Sequence, residues 1–339
     1  MKILTTGGAG YIGSHTIIEL IEKTNWNVIS ADNYLNSFPV TFERIKKITD
    51  KKIKNYSFDL CDSLKIKKMF LENPDIIGVI HFAALKSVPE SIENPELYFS
   101  NNIDSLQNIL SCLAEFNIRN FIFSSSCSVY GNIDKLPVDE NSPLQKAQSP
   151  YGATKQEGEK MIEEFSKKNP DINSIALRYF NPVGAHTSGI IGEHPKKKCD
   201  NLVPAITETA IGKAKCFIVH GNNYKTRDGT CIRDYVHVSD IASAHLLALK
   251  YLIEEKNKFN YEIFNLGTGQ GVSVLEAIKA FEKISEVKLN YKIGKRREGD
   301  VEAIYSDCTK AGKLLGWKTK YNIEKMMESA WKWQLNNNL

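Results

Sequence analysis

The stretch TTGGAGYIGSH (5–15) restricts what this chain can fold into more than any other. Gly7, Gly10 and Gly13 recur at three-residue intervals, directly after the apolar run KILTT (2–6) and at the start of a helical pattern. Gly8, Gly10 and Gly13 also satisfy the G-x-G-x-x-G spacing. Glycines there permit a tight turn, close backbone approach to a pyrophosphate, and close helix–strand packing. The helix start then offers N–H groups and a partial positive charge to the anion. A glycine turn of purely structural use has the same spacing, so context decides. Asp32 follows the second apolar run, NVISA (27–31), about twenty residues past the last glycine. A carboxylate there bonds a ribose 2′-hydroxyl and repels a 2′-phosphate, which favours NAD over NADP. Asp59, after a third run, is placed either to reach the adenine or to cap the next helix.

The rhythm of the first half extends this unit. Strand-like segments at 2–6, 27–31, 54–58, 76–82, 120–125 and 173–179 alternate with helical patterns at 12–23, 63–72, 101–117 and 151–168. Short apolar strands separated by helices predict a parallel sheet buried on both faces, with right-handed connections. After about residue 181 the pattern loosens into NPVGAHTSGIIGEHPKKKCDN, then resumes with helices at 203–213, 239–254, 273–284 and 322–335 and strands near 216–220, 261–266 and 287–293. The expectation is an α/β chain: a Rossmann-type doubly wound parallel sheet over 1–180, and a smaller mixed α/β substrate-binding region over 181–339. Some elements around 230–270 are expected to return to the first domain. A length of 339 residues suits two such units.

Composition narrows the ligand. The net charge of +4 is small and no Lys/Arg stripe is interleaved with aromatics, which argues against nucleic acid. Seven cysteines are scattered without a Cys-x-x-Cys pair, and seven histidines lack ligand-like spacing, so no metal site and reduced thiols are expected. The N-terminus enters a strand with no apolar leader, and no window approaches a membrane span. A cytoplasmic setting is the expectation.

SPYGATK (149–155) places Tyr151 and Lys155 on one helix face, because residues four apart stack along a helix. Ser149 and Pro150 suit an N-cap and a first helical position. A polar surface helix has the same spacing, and energetics show what else a catalytic reading needs. A free tyrosine must shift by about three pKa units, or about 4 kcal/mol, to act as a base near neutrality. A lysine ammonium at about 5 Å, in an effective dielectric of about 20, supplies about 3 kcal/mol. A neighbouring oxidised nicotinamide is cationic and would supply the rest, so such a base makes sense only beside bound NAD⁺. Upstream, FIFSSSCSVYG (121–131) carries a serine cluster at the C-terminal end of an apolar strand, where open parallel sheets bind ligands. A hydroxyl there would hold a substrate oxygen and relay its proton, or Ser124 to Ser126 would simply end the strand.

Tyr-x-x-x-Lys, an upstream serine at a strand end and a TGGxGYIG loop resemble the extended short-chain dehydrogenase/reductase superfamily. Within it, SSSCSVYG, SPYGATK, RYFNPVGAH, GTCIRDYVHV and RREGD resemble the UDP-glucose 4-epimerase family, in the same order and through nearly the whole chain. The resemblance implies Tyr151 as base, Lys155 as its electrostatic partner and Ser126 as the hydroxyl that bridges to the sugar. It implies NAD against Gly7, Gly10, Tyr11, Ile12, Gly13, Asp32, Asn33, Asp59, Leu60, Phe82, Ala83, Lys86, Asn101, Ser124 and Tyr179, besides Tyr151 and Lys155. Nucleotide-sugar contacts would come from Asn181, Asn201, Leu202, Ile218, His220, Arg233, Arg297, Asp300 and Ile304, with Ser126 and Tyr151. The two arginines suit a diphosphate, which guanidinium groups clamp through several donors. A homodimer is implied as well.

The same resemblance implies a reaction. Tyr151 takes the proton of the sugar's 4-hydroxyl while hydride leaves C4 for NAD⁺. The 4-keto sugar turns over on its UDP anchor and receives the hydride on its other face. UDP-glucose and UDP-galactose are the expected pair. Ile304 aligns with the position that gates the sugar's 2-substituent and is intermediate in size, so UDP-N-acetyl sugars are open too. Cys127 and Ser128 stand where the family often has Ala-Thr, and His220 where an aromatic packs on uracil. Two rivals are a nucleotide-sugar 4,6-dehydratase and a non-catalytic NAD-sensing or scaffold protein. The first needs an Asp-Glu pair after the catalytic hydroxyl residue, and Ser126 is followed by Cys127 and Ser128. The second usually lacks the tyrosine or the lysine, and both are present.

Overall fold

The computed structural model describes residues 1–196, 201–297 and 300–337. Its strands are β1 (Lys2–Thr6), β2 (Asn27–Ala31), β3 (Lys54–Tyr56), β4 (Ile76–His81), β5 (Asn120–Ser126), β6 (Asn173–Tyr179), β7 (Asn181–Val183), β8 (Phe217–His220), β9 (Ile232–His237), β10 (Tyr261–Leu266), β11 (Gly271–Ser273), β12 (Tyr291–Gly294) and β13 (Ala303–Ile304). Seven of them form a sheet in the order β10-β6-β5-β4-β1-β2-β3, every pairing parallel. The chain moves outward in one direction through β1, β2 and β3 and in the other through β4, β5 and β6. The reversal falls between β1 and β4, which opens a crevice at their C-terminal ends.

Helices cover both faces: α1 (Tyr11–Lys23), α2 (Val40–Thr49), α3 (Ser63–Leu71), α4 (Val88–Glu93), α5 (Pro95–Phe99), α6 (Ser105–Glu115), α7 (Pro150–Lys168), α8 (Leu202–Ala210), α9 (Val238–Ile253), α10 (Val274–Ser285), α11 (Thr309–Leu315) and α12 (Ile323–Asn336). Successive strand residues point to opposite faces, and the two cores follow that alternation. Ile3, Ile80, Ile122 and Ile175 pack on α1 and α9 through Ile17, Ile18, Leu246 and Leu249. Their neighbours Leu4, Val79 and Phe121 pack on α3 and α6 through Met69, Phe70, Leu106 and Leu110. Burying each such side chain contributes about 1.5–3 kcal/mol. These runs are mainly apolar because neither face meets water.

The α/β expectation holds, with local differences. β10 and α9 lie beyond residue 181 yet belong to the first sheet, β10 beside β6 and α9 against α1. β3 ends at Tyr56 and β12 occupies only Tyr291–Gly294. The helix expected from 101 begins as a π turn, Ser100–Asp104, before α6. α2 escapes a periodicity reading because Phe42 and Ile45 are its buried residues amid a basic, polar sequence. β9 escapes it because Arg233 and Asp234 interrupt the apolar run; their burial has an electrostatic explanation given below. The second region holds a smaller sheet, β11-β9-β13 with β7 also on β9, and a separate β8–β12 pair. Its core joins β8 and β9 to α8, α10 and α12 through Val219, Tyr235, Ile206, Phe281 and Met327. Of the basic stretch at 196–198, residues 197 and 198 lie outside the described residues. Among the described residues, no helix is long and apolar enough to cross a membrane.

His15, His81 and His245 are buried in the first domain. The Nδ1 atoms of His15 and His245 lie 2.7 and 2.9 Å from the carbonyl oxygens of Tyr11 and Ile241, so each Nδ1 carries the proton and donates it. Burial lowers the three pKa values to about 3, about 3 and about 4. Unfolding returns them to the ordinary value near 6.5. Stability from this source is complete above that value and is lost as pH falls toward the native values, at about 4 kcal/mol per pH unit for three groups. The urea midpoint should therefore drop steeply between about pH 6.5 and about pH 5. A flat midpoint over that range would contradict neutral burial.

Candidate functional site

The glycine loop links β1 to α1 and closes over the crevice. Gly7 has φ +69°, and a Cβ there would lie 2.8 Å from the Ala83 nitrogen; one on Gly13 would lie 2.4 Å from the Gly7 oxygen. Only glycine fits both positions. α1 begins after Gly10 with no side-chain cap and no acidic residue in its first turn. A helix start of that kind suits a phosphate. Asp32, 8% exposed, accepts hydrogen bonds from the Ala9 N–H at 2.9 Å, the Tyr34 N–H at 2.8 Å and the Ser37 hydroxyl at 2.8 Å. Two carboxylate oxygens offer about four acceptor positions, so room for one ribose hydroxyl remains. These features fit a dinucleotide.

The other cofactor candidates fall around the same edge of the sheet. Phe82, Ala83 and Lys86 follow β4, Asn101 lies in the π turn, Ser124 lies near the end of β5, and Tyr179 ends β6. Tyr11 and Ile12 open α1; the Tyr11 hydroxyl donates to the Gly184 carbonyl at 2.5 Å, tying the loop to the second region. Leu60 is buried, whereas Asn33 and Asp59 are exposed and bind their own turns, at the Leu35 and Cys61 N–H groups.

α7 carries the chemical centre. Ser149 caps it by accepting from the Gly152 N–H at 3.1 Å, and Pro150 opens its first turn. Three residues one turn apart then meet three consecutive serines. The Ser126 hydroxyl is one of the groups that act on the Tyr151 phenol. The Lys155 ammonium donates to the Ser124 carbonyl at 2.8 Å, and the Ser125 hydroxyl donates to Glu159 Oε1 at 2.5 Å. Lys155 lies 4.8 Å over the Phe123 ring and 5.9 Å from the Tyr151 ring centroid. Burial lowers its pKa to about 8, with the Glu159 carboxylate acting to raise it. Burial pushes the Tyr151 phenol above its ordinary value; the Ser126 hydroxyl and the Lys86 ammonium pull it down, and the Cys127 thiol works against them. In the chain alone the phenol stays protonated.

On the nucleotide side, Arg233 Nη2 lies 3.3 Å from Asp300 Oδ1, and β13 places Ile304 beside Arg233 in register. His220 and Ile218 line β8, whose partner strand β12 leads directly to Arg297. Asn181 sits on β7 opposite Tyr235, Asn201 precedes α8 as its N-cap, and Leu202 is the first residue of α8. Ile304 is buried among Val129, Tyr130, Val138 and Phe180, the cluster that follows Ser126.

Three supports were not read from the sequence. Glu159 forms a buried two-pronged pair with Arg178, at 2.8 and 2.5 Å, and Arg178 also donates to the Tyr130 hydroxyl at 3.1 Å. The spacing of Tyr151, Lys155 and Glu159 on one helix face was a signal for it. Asn102 accepts from the Leu85 N–H and donates to the Leu85 carbonyl and the Thr154 hydroxyl, fixing the loop after β4 to α7. Asp234, fully buried, accepts from the N–H and hydroxyl of Thr268, the Gly269 N–H, and the N–H and hydroxyl of Ser306. Five donors in place of water explain a charged residue inside β9.

A seven-stranded parallel sheet with a glycine loop at its switch point and a Tyr-x-x-x-Lys pair, its lysine buried, beside a serine defines the extended short-chain dehydrogenase/reductase class. The family model described as GDP-mannose 4,6 dehydratase matches residues 4–330. The chain is 44% identical to the UDP-glucose 4-epimerase of Haemophilus influenzae over 99% of this chain and 98% of that one. It is 44% identical to the Drosophila melanogaster UDP-glucose 4-epimerase over 99% and 97%. The structure resembles UDP-glucose 4-epimerase from Bifidobacterium longum in complex with NAD⁺ and UDP, with a TM-score of 0.95, 43% identity and coverage of 100% and 99%. The chain belongs to the UDP-glucose 4-epimerase family.

The Glu159–Arg178 pair yields a stability prediction. Glu159→Gln leaves a buried guanidinium without its counter-charge, which costs about 3–5 kcal/mol. Urea unfolding should record that loss; a loss within experimental scatter would mean the pair carries no such role.

Proposed function

We propose that this chain interconverts UDP-galactose and UDP-glucose through a 4-keto sugar, with NAD held at the glycine loop. The observation that carries this reading is the Tyr151–Lys155–Ser126 group, its lysine and serine buried, beside Arg233, Asp300 and Ile304, with no carboxylate following Ser126. The Ser126 hydroxyl holds the sugar's 4-oxygen and Tyr151 takes its proton. Lys155, fixed by the Ser124 carbonyl, keeps a positive charge behind the phenol. When bound, NAD would supply the acceptor for the C4 hydride and a positive charge that favours ionised Tyr151. Arg233 and Arg297 clamp the diphosphate, so the keto sugar turns over without leaving; remote binding energy serves this purpose. In this reading residues 1–180 serve cofactor and catalysis and residues 181–339 serve mainly the nucleotide sugar.

The dehydratase description of the family model raises the rival reaction, which must expel water and needs a carboxylic acid near the reacting carbon. Cys127 occupies the place after Ser126, its thiol pushed up to about 12 by burial. A neutral thiol does not serve as that acid. Ile304, buried against Tyr130 and Phe180, supports hexoses as preferred substrates with N-acetylated sugars also admitted. Ile92, Leu97 and Phe99 are exposed on α4 and α5, an apolar face consistent with a homodimer. A cytoplasmic setting accords with these soluble nucleotide-sugar substrates.

Purified protein given UDP-galactose and no added cofactor should yield UDP-glucose by NMR, and a keto-deoxy sugar would point to dehydration instead. Tyr151→Phe should lower turnover by about 10²–10⁴-fold, the contribution of a positioned acid–base group, while NAD still co-purifies. Unchanged turnover would refute Tyr151 as the base.

A further inference from the structure

Between the cofactor side and the nucleotide side runs a segment to which the catalytic reading assigns no role. Glu193 lies on it, with a side chain only 10% exposed. Its Oε1 accepts from the Lys86 ammonium at 2.8 Å and from the Asn201 amide at 2.7 Å. One oxygen thus joins a residue after β4 to the N-cap of α8. The base of the segment is firmly held. Trp333 Nε1 donates to the Glu193 carbonyl at 2.9 Å, and Gly192 lies so close to Trp333 that a Cβ would come within 2.5 Å of the ring. Beyond Glu193 the chain crosses to the loop that follows Asp32. His194 stacks on Phe38 with centroids 4.4 Å apart, and the Lys196 ammonium lies 5.1 Å over the same ring and donates to the Tyr34 carbonyl.

We propose that Glu193 is a positioning residue for the epimerisation, a single carboxylate that orients Lys86 at the cofactor and Asn201 at the nucleotide. The inference rests on the epimerase reading and on the roles given above to Lys86 and Asn201. An exposed lysine–glutamate pair is worth little by itself. Glu193 differs in that its carboxylate is nearly enclosed, is shared between two partners on separate elements, and grows from a clamped backbone. Its effect reaches the base through Lys86. The groups facing the Tyr151 phenol are Ser126 and Cys127 after β5, Lys86 after β4, Tyr179 on β6 and Lys155 on its own helix. Releasing Lys86 removes one of the groups that favour the ionised phenol. The alkaline shift this produces is a signature that mere loss of packing does not share.

The test compares wild type, Glu193→Gln and Glu193→Ala for kcat, KM for UDP-galactose, the pH dependence of kcat, and NAD retained after gel filtration. Glu193→Gln keeps an acceptor for Asn201 and removes the counter-charge that holds Lys86 in place. It should move the acid limb of kcat to higher pH while KM stays close to wild type. Glu193→Ala releases both partners and should lower kcat/KM by about ten- to a hundredfold, the scale of a small misplacement in an active site. It should also raise KM and lose part of its NAD. Thermal midpoints near wild type establish that the variants fold, as expected for a residue at the cleft edge. Folded variants with wild-type kcat, KM, pH limb and NAD content would overturn the positioning role. Failure of the wild type itself to epimerise would refute the epimerase reading instead, and the two failures are distinct.

Discussion

Three serines at the end of β5 meet three residues of α7 spaced one turn apart, and this pairing organises the site. Strand residues lie about 3.3 Å apart and helix turns about 5.4 Å, so the two elements cannot stay in step through side chains of one length. Different atoms serve the partners: a backbone carbonyl takes the Lys155 ammonium and the Ser125 hydroxyl donates to Glu159, while the Ser126 hydroxyl acts on the Tyr151 phenol. Arg178, on the neighbouring strand β6, closes the set by pairing with Glu159. The helix is thereby fixed along and around its axis.

The burial that fixes these groups also sets their charge. It raises Tyr151 and lowers Lys155, each in the direction that disfavours the ion. The protein alone therefore keeps its base protonated and its lysine close to the point of losing charge. In the proposed reaction a positive charge beside the phenol, as oxidised NAD would supply, would shift the balance toward the phenolate. Enclosure thus couples reactivity to occupancy. On the opposite side, Arg233 is held near Asp300, and the buried Asp234 knits β9 to the turns on either side.

Much of this was legible in the sequence, for identifiable reasons. The strands at 2–6, 27–31 and 173–179 match the structure because strands covered on both faces are mainly apolar, a pattern that needs no tertiary information. Gly7 and Gly13 were legible because no other residue fits the space they occupy. β9 was not, since its Arg233 and Asp234 are accommodated by donors from residues 268, 269 and 306, which sequence proximity does not reveal. Glu193 stayed hidden for the same reason: its partners lie at positions 86 and 201, on opposite sides of the cleft. Glu159 could have been found, because the Tyr151–Lys155 spacing continues to it unbroken.

The central claim is that one enclosed site removes the hydrogen at C4 and returns it to the other face of the same sugar. Incubating the protein with UDP-galactose deuterated at C4, without added cofactor, and following the product by mass spectrometry tests it directly. The account predicts UDP-glucose that retains its deuterium at C4. Loss of the label to solvent, with hydrogen in its place, would contradict it.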